Sequence, residues 1–350
     1  MNRTTVAVDL AKNRFELAIA DSQCRIFQHE RLTRARFVRF FSNYPTSLIV
    51  MEACGSAHHW ARTFRDQGHE VRLLPAHYVK AYVRRNKTDA ADAEALIEAS
   101  RCAEIRPVPV KSVEQQAIQQ LHRLRSQWIR TRTARINQLR AALREFGMFI
   151  PVGAKRAVTA IREALEEAGN GLPDVLRPFV LEVLQEIAQL EERNVRIDLT
   201  LRELTREDAV VQRLLKIPGI GLLTASALRA IIVDARRFPS GRHLASWLGL
   251  TAREHSSGER RCLGGISKRG DVYLRTLLIH AARSALLAAG RAARADRPLT
   301  RVQTWVLETE RRRGHNKAAV ALANKLARIV WATWAHDRAF NGNWNCAVMH

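Results

Sequence analysis

The sequence has 350 residues, and 47% of them are hydrophobic, which is enough for two or three domains with cores of their own. Its 57 lysines and arginines outnumber 34 acidic residues and give a net charge of +23. Such a charge attracts polyanions, so it favours a nucleic-acid ligand over a small neutral substrate. The arginines are spread along the whole chain, which argues against a membrane-surface anchor.

The five cysteines include no CxxC pair, so the sequence predicts neither a zinc knuckle nor a disulfide framework. The first ten residues lack the apolar core of a signal peptide. No apolar run approaches the roughly 18 residues that a membrane span requires. We therefore expect reduced thiols, a cytoplasmic protein and no membrane partner.

Four short apolar runs in the first hundred residues have the composition of β-strands, over residues 4–10, 15–21, 47–53 and 70–75. A helical pattern follows the third strand at 58–68, and another follows the fourth strand at 87–101. This order predicts an α/β domain over residues 1–108, which ends in a proline-containing linker at 106–109.

Residues 109–206 have a helical pattern. Apolar residues recur through 113–146, and from Leu176 to Leu204 they follow alternating steps of four and three. That spacing is typical of a coiled-coil seam, on which Asn194 is the polar position that commonly sets register and oligomer state. Self-association and packing of two helices within one chain are both compatible with the pattern. Pro178 marks either a kink or the first turn of the second helix.

Residues 207–340 form a second basic region, followed by a loose tail at 341–350. The stretch KIPGIGLLTASALRA (216–230) is typical of a helix-hairpin-helix, in which Gly219 and Gly221 permit a turn whose backbone N–H groups face a phosphate. A plain glycine turn between two helices is the alternative. A glycine-rich loop over 250–273 then carries five candidate phosphate ligands, Arg253, Arg260, Arg261, Lys268 and Arg269, and a long helical stretch covers about 300–338.

Four carboxylates occupy positions from which they can meet at one sheet edge. Asp9 and Glu52 end the first and third predicted strands, and Asp89 and Asp92 begin a helix three residues apart, on one face. Carboxylate oxygens are the ligands of Mg²⁺ or Mn²⁺, and paired ions promote phosphoryl transfer. Each acid also has a purely structural explanation, such as favouring a helix N-terminus. Lys87 is either a phosphate contact or a solvated side chain.

The order of these elements resembles a ribonuclease H-like domain of the RuvC type. Together, VAVDLAKNRFELAI, VMEACGSAHHWA, NKTDAADAEAL, IPGIGLLTASALRA, LASWLGLTAREHSSGERRCLGGISKRGDVYLRTLL and HNKAAVALANKLARIVW resemble the DEDD transposases of bacterial insertion sequences, relatives of the Piv-type DNA invertases. The resemblance implies an α/β plus all-α fold: a RuvC-like domain, coiled-coil helices and a mostly helical C-terminal domain with a helix-hairpin-helix. It also implies a nucleoid-associated recombinase that cuts and rejoins DNA.

What the resemblance implies about chemistry is more specific. The catalytic carboxylates are Asp9, Glu52, Asp89 and Asp92, with Mg²⁺ as cofactor, and the nucleophile is a C-terminal serine. It maps onto Ser257, before Gly258, and Ser256 is the rival. The implied partners are an element-encoded guide (bridge) RNA, donor and target double-stranded DNA, and further copies of the chain in a dimer or tetramer. Because the serine and the acids are far apart in sequence, we expect Ser257 of one subunit to act with the acids of another.

The sequence is also compatible with two other functions. A metal-dependent structure-specific endonuclease of the RuvC type needs the four acids and no serine. A non-catalytic nucleic-acid-binding scaffold needs neither.

Overall fold

The computed structural model describes residues 4–83, 88–167, 169–258 and 260–343. The chain divides into two compact units, Met1–Ser112 and Val113–His350. Lys87, for which the sequence predicts a nucleic-acid contact, lies outside the described residues, as does most of the tail at 341–350.

The first unit is built on a five-stranded sheet. Its strands are β1 (Thr5–Leu10), β2 (Arg14–Ala20), β3 (Ile26–Thr33), β4 (Leu48–Glu52) and β5 (Glu70–Leu74). The spatial order is β3-β2-β1-β4-β5, with β1, β2 and β3 antiparallel and β1, β4 and β5 parallel. The four predicted strands are present, and β3 is an additional one. Most of its side chains are exposed, so it lacks the apolar run from which a strand is predicted.

Helices cover both faces of this sheet. The helices of the unit are α1 (Arg34–Asn43), α2 (Ala57–Asp66), α3 (Ala76–Val79) and α4 (Asp89–Arg101). An aromatic cluster joins one face to α1 and α2, with Phe15 stacked on Phe37 at 4.0 Å and Trp60 edge-on to both. The opposite face packs its small residues Ala7 and Ala18 under α4. A mixed sheet between two helical layers fits a ribonuclease H-like domain.

The second unit begins with three helices, α5 (Val113–Arg144), α6 (Ala154–Glu166) and α7 (Arg177–Leu204). Helices α5 and α7 run antiparallel, because residues that rise along α5 pair with residues that fall along α7. The ion pairs are Arg125–Asp198 at 2.6 Å, Arg132–Glu191 at 3.5 Å and Arg135–Glu186 at 2.7 Å. Pro178 lies in the first turn of α7, where its missing N–H has no structural cost.

The seam of α7 packs within the chain. Val180, Ile187, Ile197 and Leu201 are buried against residues of the same unit, which is the intrachain alternative that the spacing left open. Asn194 is 7% exposed, and its side-chain amide donates to the Leu190 carbonyl at 2.8 Å. The buried positions of the seam are therefore filled within the chain, and a supercoil of these helices stays a prediction.

The remainder of the second unit is mostly helical. Its elements are α8 (Ala209–Leu214), α9 (Leu222–Ile232), α10 (Gly241–Trp247), the antiparallel hairpin β6 (Ala252–Glu254) and β7 (Leu263–Ile266), α11 (Val272–Arg294), α12 (Arg301–Arg313) and α13 (His315–Ala335). The helical stretch predicted at 300–338 is divided, because Gly314 ends α12 with a φ of +80°. The glycine-rich loop predicted at 250–273 contains this hairpin.

Helix α11 is long and apolar enough to cross a membrane by length and composition. This differs from the prediction that no apolar run of that length exists. Leu274, Leu278, Ala282 and Leu286 of this helix are buried in the core that also contains α13. A core helix of a globular domain passes the same test of length and composition.

Candidate active site

Asp9 and Glu52 end two neighbouring parallel strands. Val8 pairs with Met51, so the next residue of each strand, Asp9 and Glu52, lies at the same level, about 4.8 Å apart across the sheet. Both are half-buried. Since side chains alternate along a strand, Asp9 shares a face with Ala7, and Glu52 shares a face with Val50. That face is the one covered by α4.

The other two predicted carboxylates are in the first turn of α4. Thr88 begins this helix by accepting the Ala91 N–H on its hydroxyl at 3.2 Å. Asp92 is half-buried and Asp89 is exposed. Helix α4 packs against β1, β2 and β4, so it covers the sheet face of Asp9 and Glu52. Both acids also favour the helix N-terminus electrostatically, so the structural explanation of each still applies.

These residues fit a divalent ion in their chemistry. Two carboxylates at one level of a sheet supply hard oxygen ligands, and the acids of α4 belong to the same face. Within residues 4–83, 88–167, 169–258 and 260–343, however, no three such side chains are close enough together to form a complete metal cluster. The structure thus brings Asp9 and Glu52 together and puts Asp89 and Asp92 on the helix that covers them.

Ser257 lies near the tip of the β6–β7 hairpin. Beyond the strands the two arms stay paired, with the His255 N–H donating to the Cys262 carbonyl at 3.0 Å. The backbone groups of Ser257 and Arg260 then exchange two bonds of 3.3 and 3.2 Å, and Gly258 turns the chain with a φ of +56°. A turn of this left-handed kind favours glycine.

The two serines of this tip differ in their hydrogen bonds. The Ser256 hydroxyl donates to Glu254 Oε1 at 2.8 Å and accepts the Cys262 N–H at 3.2 Å. Arg261 Nε is 3.3 Å from the same Glu254 oxygen. The Ser257 hydroxyl makes no hydrogen bond to any other residue that the structure describes, and its side chain is exposed. Ser256 therefore braces the hairpin, whereas the Ser257 hydroxyl takes no part in holding the described residues together.

Five basic side chains around this hairpin are exposed, namely Arg253, Arg260, Arg261, Lys268 and Arg269. Arg260 and Arg261 follow Ser257 by three and four residues, so a phosphate that approaches the exposed serine meets positive charge. Lys268 adopts a φ of +56° and its N–H donates to the Gly249 carbonyl at 3.1 Å. The backbone of the hairpin base is thus fixed, and two of the five side chains have partners, since Arg253 donates to the Ser267 carbonyl at 3.4 Å and Arg261 pairs with Glu254.

Sequence reasoning missed the residues that hold the hairpin base. Gly249 and Gly270 have positive φ angles of +70° and +100°, and a Cβ on either would lie 1.9 Å from a carbonyl oxygen of the facing segment. Arg275, 8% exposed, donates to the Leu248 carbonyl at 3.1 Å and to the Arg269 carbonyl at 3.5 Å. One signal in the sequence could have indicated this role, because Arg275 lies on the same face of α11 as the apolar residues Leu278 and Ala282.

The predicted glycine turn joins α8 to α9. Gly219 has a φ of +88°, and a Cβ there would lie 2.3 Å from the Ala281 carbonyl oxygen of α11. This close packing is itself a reason for glycine. Gly221 is exposed, and its surroundings leave room for a Cβ. A phosphate contact at the turn stays a prediction, as does its assignment to the helix-hairpin-helix class.

Two family profiles match this chain, one in its N-terminal half and one in its C-terminal half. Residues 6–148 match the profile of the DEDD transposase domain, and residues 211–296 match the profile described as "Transposase IS116/IS110/IS902 family". Domains of this DEDD type typically use divalent metal ions.

Several relatives match over nearly their whole length. A "Probable family 20 transposase" of Pseudomonas aeruginosa is 43% identical over 97% of this chain and 99% of its own. The transposase for insertion sequence element IS1111A of Coxiella burnetii is 37% identical over 96% of this chain and 90% of its own. The transposase for IS1328 of Yersinia enterocolitica is 34% identical over 97% and 99%. The chain is therefore a DNA transposase and belongs to the IS116/IS110/IS902 family of insertion-sequence transposases.

Proposed function

We propose that this transposase is an RNA-guided recombinase in which Ser257 is the nucleophile. The observation that carries the proposal is the unbonded, exposed Ser257 hydroxyl near the tip of a basic hairpin, beside a serine that is fully engaged in bracing it. In this proposal Asp9, Glu52, Asp89 and Asp92 hold Mg²⁺, with Mn²⁺ as a substitute. The ion supplies Lewis-acid stabilisation of the phosphoryl group when it is bound.

The chemistry follows from a serine nucleophile. Ser257 Oγ loses its proton to a general base and attacks the phosphorus, the P–O bond to the deoxyribose breaks, and the leaving oxygen takes up a proton. The product is a phosphoserine ester with a free DNA hydroxyl. The hydroxyl of another strand reverses the step and restores a phosphodiester, so the bond energy is conserved for rejoining. Arg260 and Arg261 stabilise the negative charge of the transition state.

The nucleic-acid ligands are donor DNA, target DNA and a guide RNA encoded by the element. The net charge of +23 supports a large polyanionic ligand. The predicted contacts are Lys87, Gly219, Gly221, Arg253, Arg260, Arg261, Lys268 and Arg269.

Exchange between two duplexes needs more than one serine, so we propose a dimer or tetramer in the cytoplasm, associated with the nucleoid. Because the seam of α7 is buried inside the chain, another surface must join the copies. We keep the expectation that Ser257 acts with the acids of a partner copy.

The test is to purify the full chain from cells that carry its element, sequence the RNA that accompanies it, and supply that RNA with donor and target DNA in Mg²⁺. Joined products that depend on one element-encoded RNA support the proposal. Random cellular RNA contradicts guidance. Cleavage of branched DNA without rejoining identifies a structure-specific endonuclease, and binding without cleavage identifies a scaffold.

A further inference from the structure

A second polar site lies in the second unit, in a cleft of about 330 Å³ between α5, α9 and α11. One face of α5 supplies most of its lining, and Ile231 of α9 and Tyr273 of α11 complete the walls. We call this site the α5 cleft.

Five arginines of α5 form two groups with different partners. Arg125, Arg132 and Arg135 pair with acids of α7. Arg123 and Arg130 line the α5 cleft, are exposed, and have no ion-pair partner among the residues that the structure describes. They are seven residues apart, so they lie two turns, about 10 Å, apart along the same face. Two unpaired charges at this spacing suit the phosphates of an extended strand better than one small anion.

Neutral polar groups lie beside these two arginines on α5. The side chains of Gln119, Ser126 and Gln127 line the cleft and make no hydrogen bond to another described residue. The Asp271 carboxylate also lines it, and one of its oxygens accepts the Leu274 N–H at 2.8 Å. A carboxylate repels phosphate but accepts hydrogen bonds from the amino or imino groups of a base. The set therefore suits a nucleobase flanked by phosphates.

A fixed hydrogen-bond chain forms the floor of the cleft. The Ser226 hydroxyl donates to the Leu222 carbonyl at 2.7 Å, so it accepts the Nε2–H of His122 at 3.0 Å. Nδ1 of His122 then accepts the Tyr273 hydroxyl proton at 2.9 Å. Burial lowers the pKa of His122 to about 4, which keeps the ring neutral in this arrangement at pH 7. Tyr273 is thereby held in one orientation before any ligand arrives.

We propose that the α5 cleft holds an unpaired nucleotide of a nucleic-acid strand, with Arg123 and Arg130 on the flanking phosphates. A base inside a duplex cannot enter a cleft of this kind, because its hydrogen-bonding edge is already paired. This inference rests on the proposed function only in requiring a nucleic-acid ligand. It assigns α5, a helix that otherwise serves to pair with α7, a direct part in binding.

The test measures how binding depends on salt. Arg123→Gln/Arg130→Gln is compared with the matched control Arg132→Gln/Arg135→Gln, which removes the same charge from arginines that are already ion-paired. The ligands are 20-nucleotide oligo(U), oligo(dT) and a 20-base-pair DNA duplex. Loss of two phosphate contacts should reduce the slope of log K against log salt by about 1.4 on a single strand, and the control should change it much less.

The outcomes separate the possibilities. A reduced slope on oligo(U) or oligo(dT) supports the proposal, and the more affected oligomer identifies the strand. Equal slopes for the two double variants, or a loss confined to the duplex, overturn it. If the unmodified protein binds none of the three ligands, the proposed function fails as well, whereas normal binding with equal slopes refutes the α5 cleft alone.

A photo-crosslink locates the base. An oligo(U) that carries one 4-thiouridine should link to the α5 or α11 peptides that line the cleft. Tyr273→Phe keeps the ring and removes the hydroxyl group that donates to His122, so it should lower that crosslink yield several-fold. Crosslinks only to the β6–β7 hairpin would overturn the assignment.

Discussion

The hydroxyl of Ser256 donates to Glu254 across 2.8 Å, and this bond distinguishes it from the adjacent Ser257. The same hydroxyl accepts the Cys262 N–H from the opposite arm, so Ser256 ties the two arms of the hairpin together. Ser257, one residue further on, has its backbone in the turn and its hydroxyl exposed. Local hydrogen bonding, rather than residue type, distinguishes the two roles.

Ser257→Ala should abolish the covalent protein–DNA adduct, a loss of at least about 1,000-fold, because alanine leaves no oxygen to attack phosphorus. Ser256→Ala should lower adduct formation only several-fold, since it removes a brace and not the nucleophile. The adduct is measured on a denaturing gel with labelled donor DNA. The nucleophile assignment is wrong if Ser256→Ala removes the adduct and Ser257→Ala retains it.

Asp9→Asn and Glu52→Gln should each lower strand cleavage by at least about 100-fold and leave DNA binding nearly unchanged, because an amide is a far weaker ligand for a divalent ion than a carboxylate. Glu98→Gln is the matched control. It lies on α4 in an exposed pair with Arg101, at 3.2 Å, and such surface pairs contribute little. Cleavage in a Mg²⁺ titration is the measurement. Equal cleavage by Asp9→Asn and Glu98→Gln would point to a scaffold.

Gly270→Ala should destabilise the second unit by about 3 kcal/mol, because the new Cβ meets the Trp247 carbonyl at 1.9 Å and the backbone has a φ of +100°. Gly265→Ala is the control. Gly265 is exposed on β7 with open space around its Cα, and the change should cost less than about 1 kcal/mol. Thermal unfolding of the two variants gives the comparison. A Gly270→Ala protein as stable as Gly265→Ala would mean that the hairpin base is not held as described.

Stability should fall as the pH falls from about 6.5 towards 4. Burial lowers the pKa of His122 to about 4, so between these values the unfolded chain binds a proton that the folded chain does not. The contribution of neutral His122 to the free energy of unfolding is therefore complete above pH 6.5, and about 3 kcal/mol of it is lost by pH 4. His122→Asn should flatten this part of the stability profile of the second unit, measured by urea unfolding at several pH values.

His58 provides the comparison for that experiment. Burial also lowers its pKa to about 4, and it lies in the first unit, where its Nδ1 accepts the Lys111 N–H at 3.3 Å. His58→Asn should flatten the profile of the first unit and leave that of the second unchanged. An unchanged slope in His122→Asn would show that another group causes the loss.

The limits of prediction from sequence are visible in particular elements. Strands β1, β2, β4 and β5 were predicted because their apolar runs fill both faces of the sheet. Strand β3 was missed because an edge strand with exposed side chains carries no such run. The close packing of Gly249 and Gly270 was not predicted, since the backbone that each one touches lies at another position in the sequence.

The sequence by itself determined the polyanionic class of ligand, the α/β character of the first hundred residues and the motifs that mark a DEDD transposase, because charge, apolar periodicity and motif spacing are local properties of the chain. Tertiary structure decided the rest. The seam of α7, with the spacing of a dimer interface, is buried against its own chain. Among the described residues, hydrogen bonds engage the Ser256 hydroxyl and not the Ser257 hydroxyl. Acids of α7 pair with Arg125, Arg132 and Arg135 of α5 and not with Arg123 or Arg130. Each of these depends on which residues meet across the fold, and that information lies in packing rather than in any single stretch of sequence.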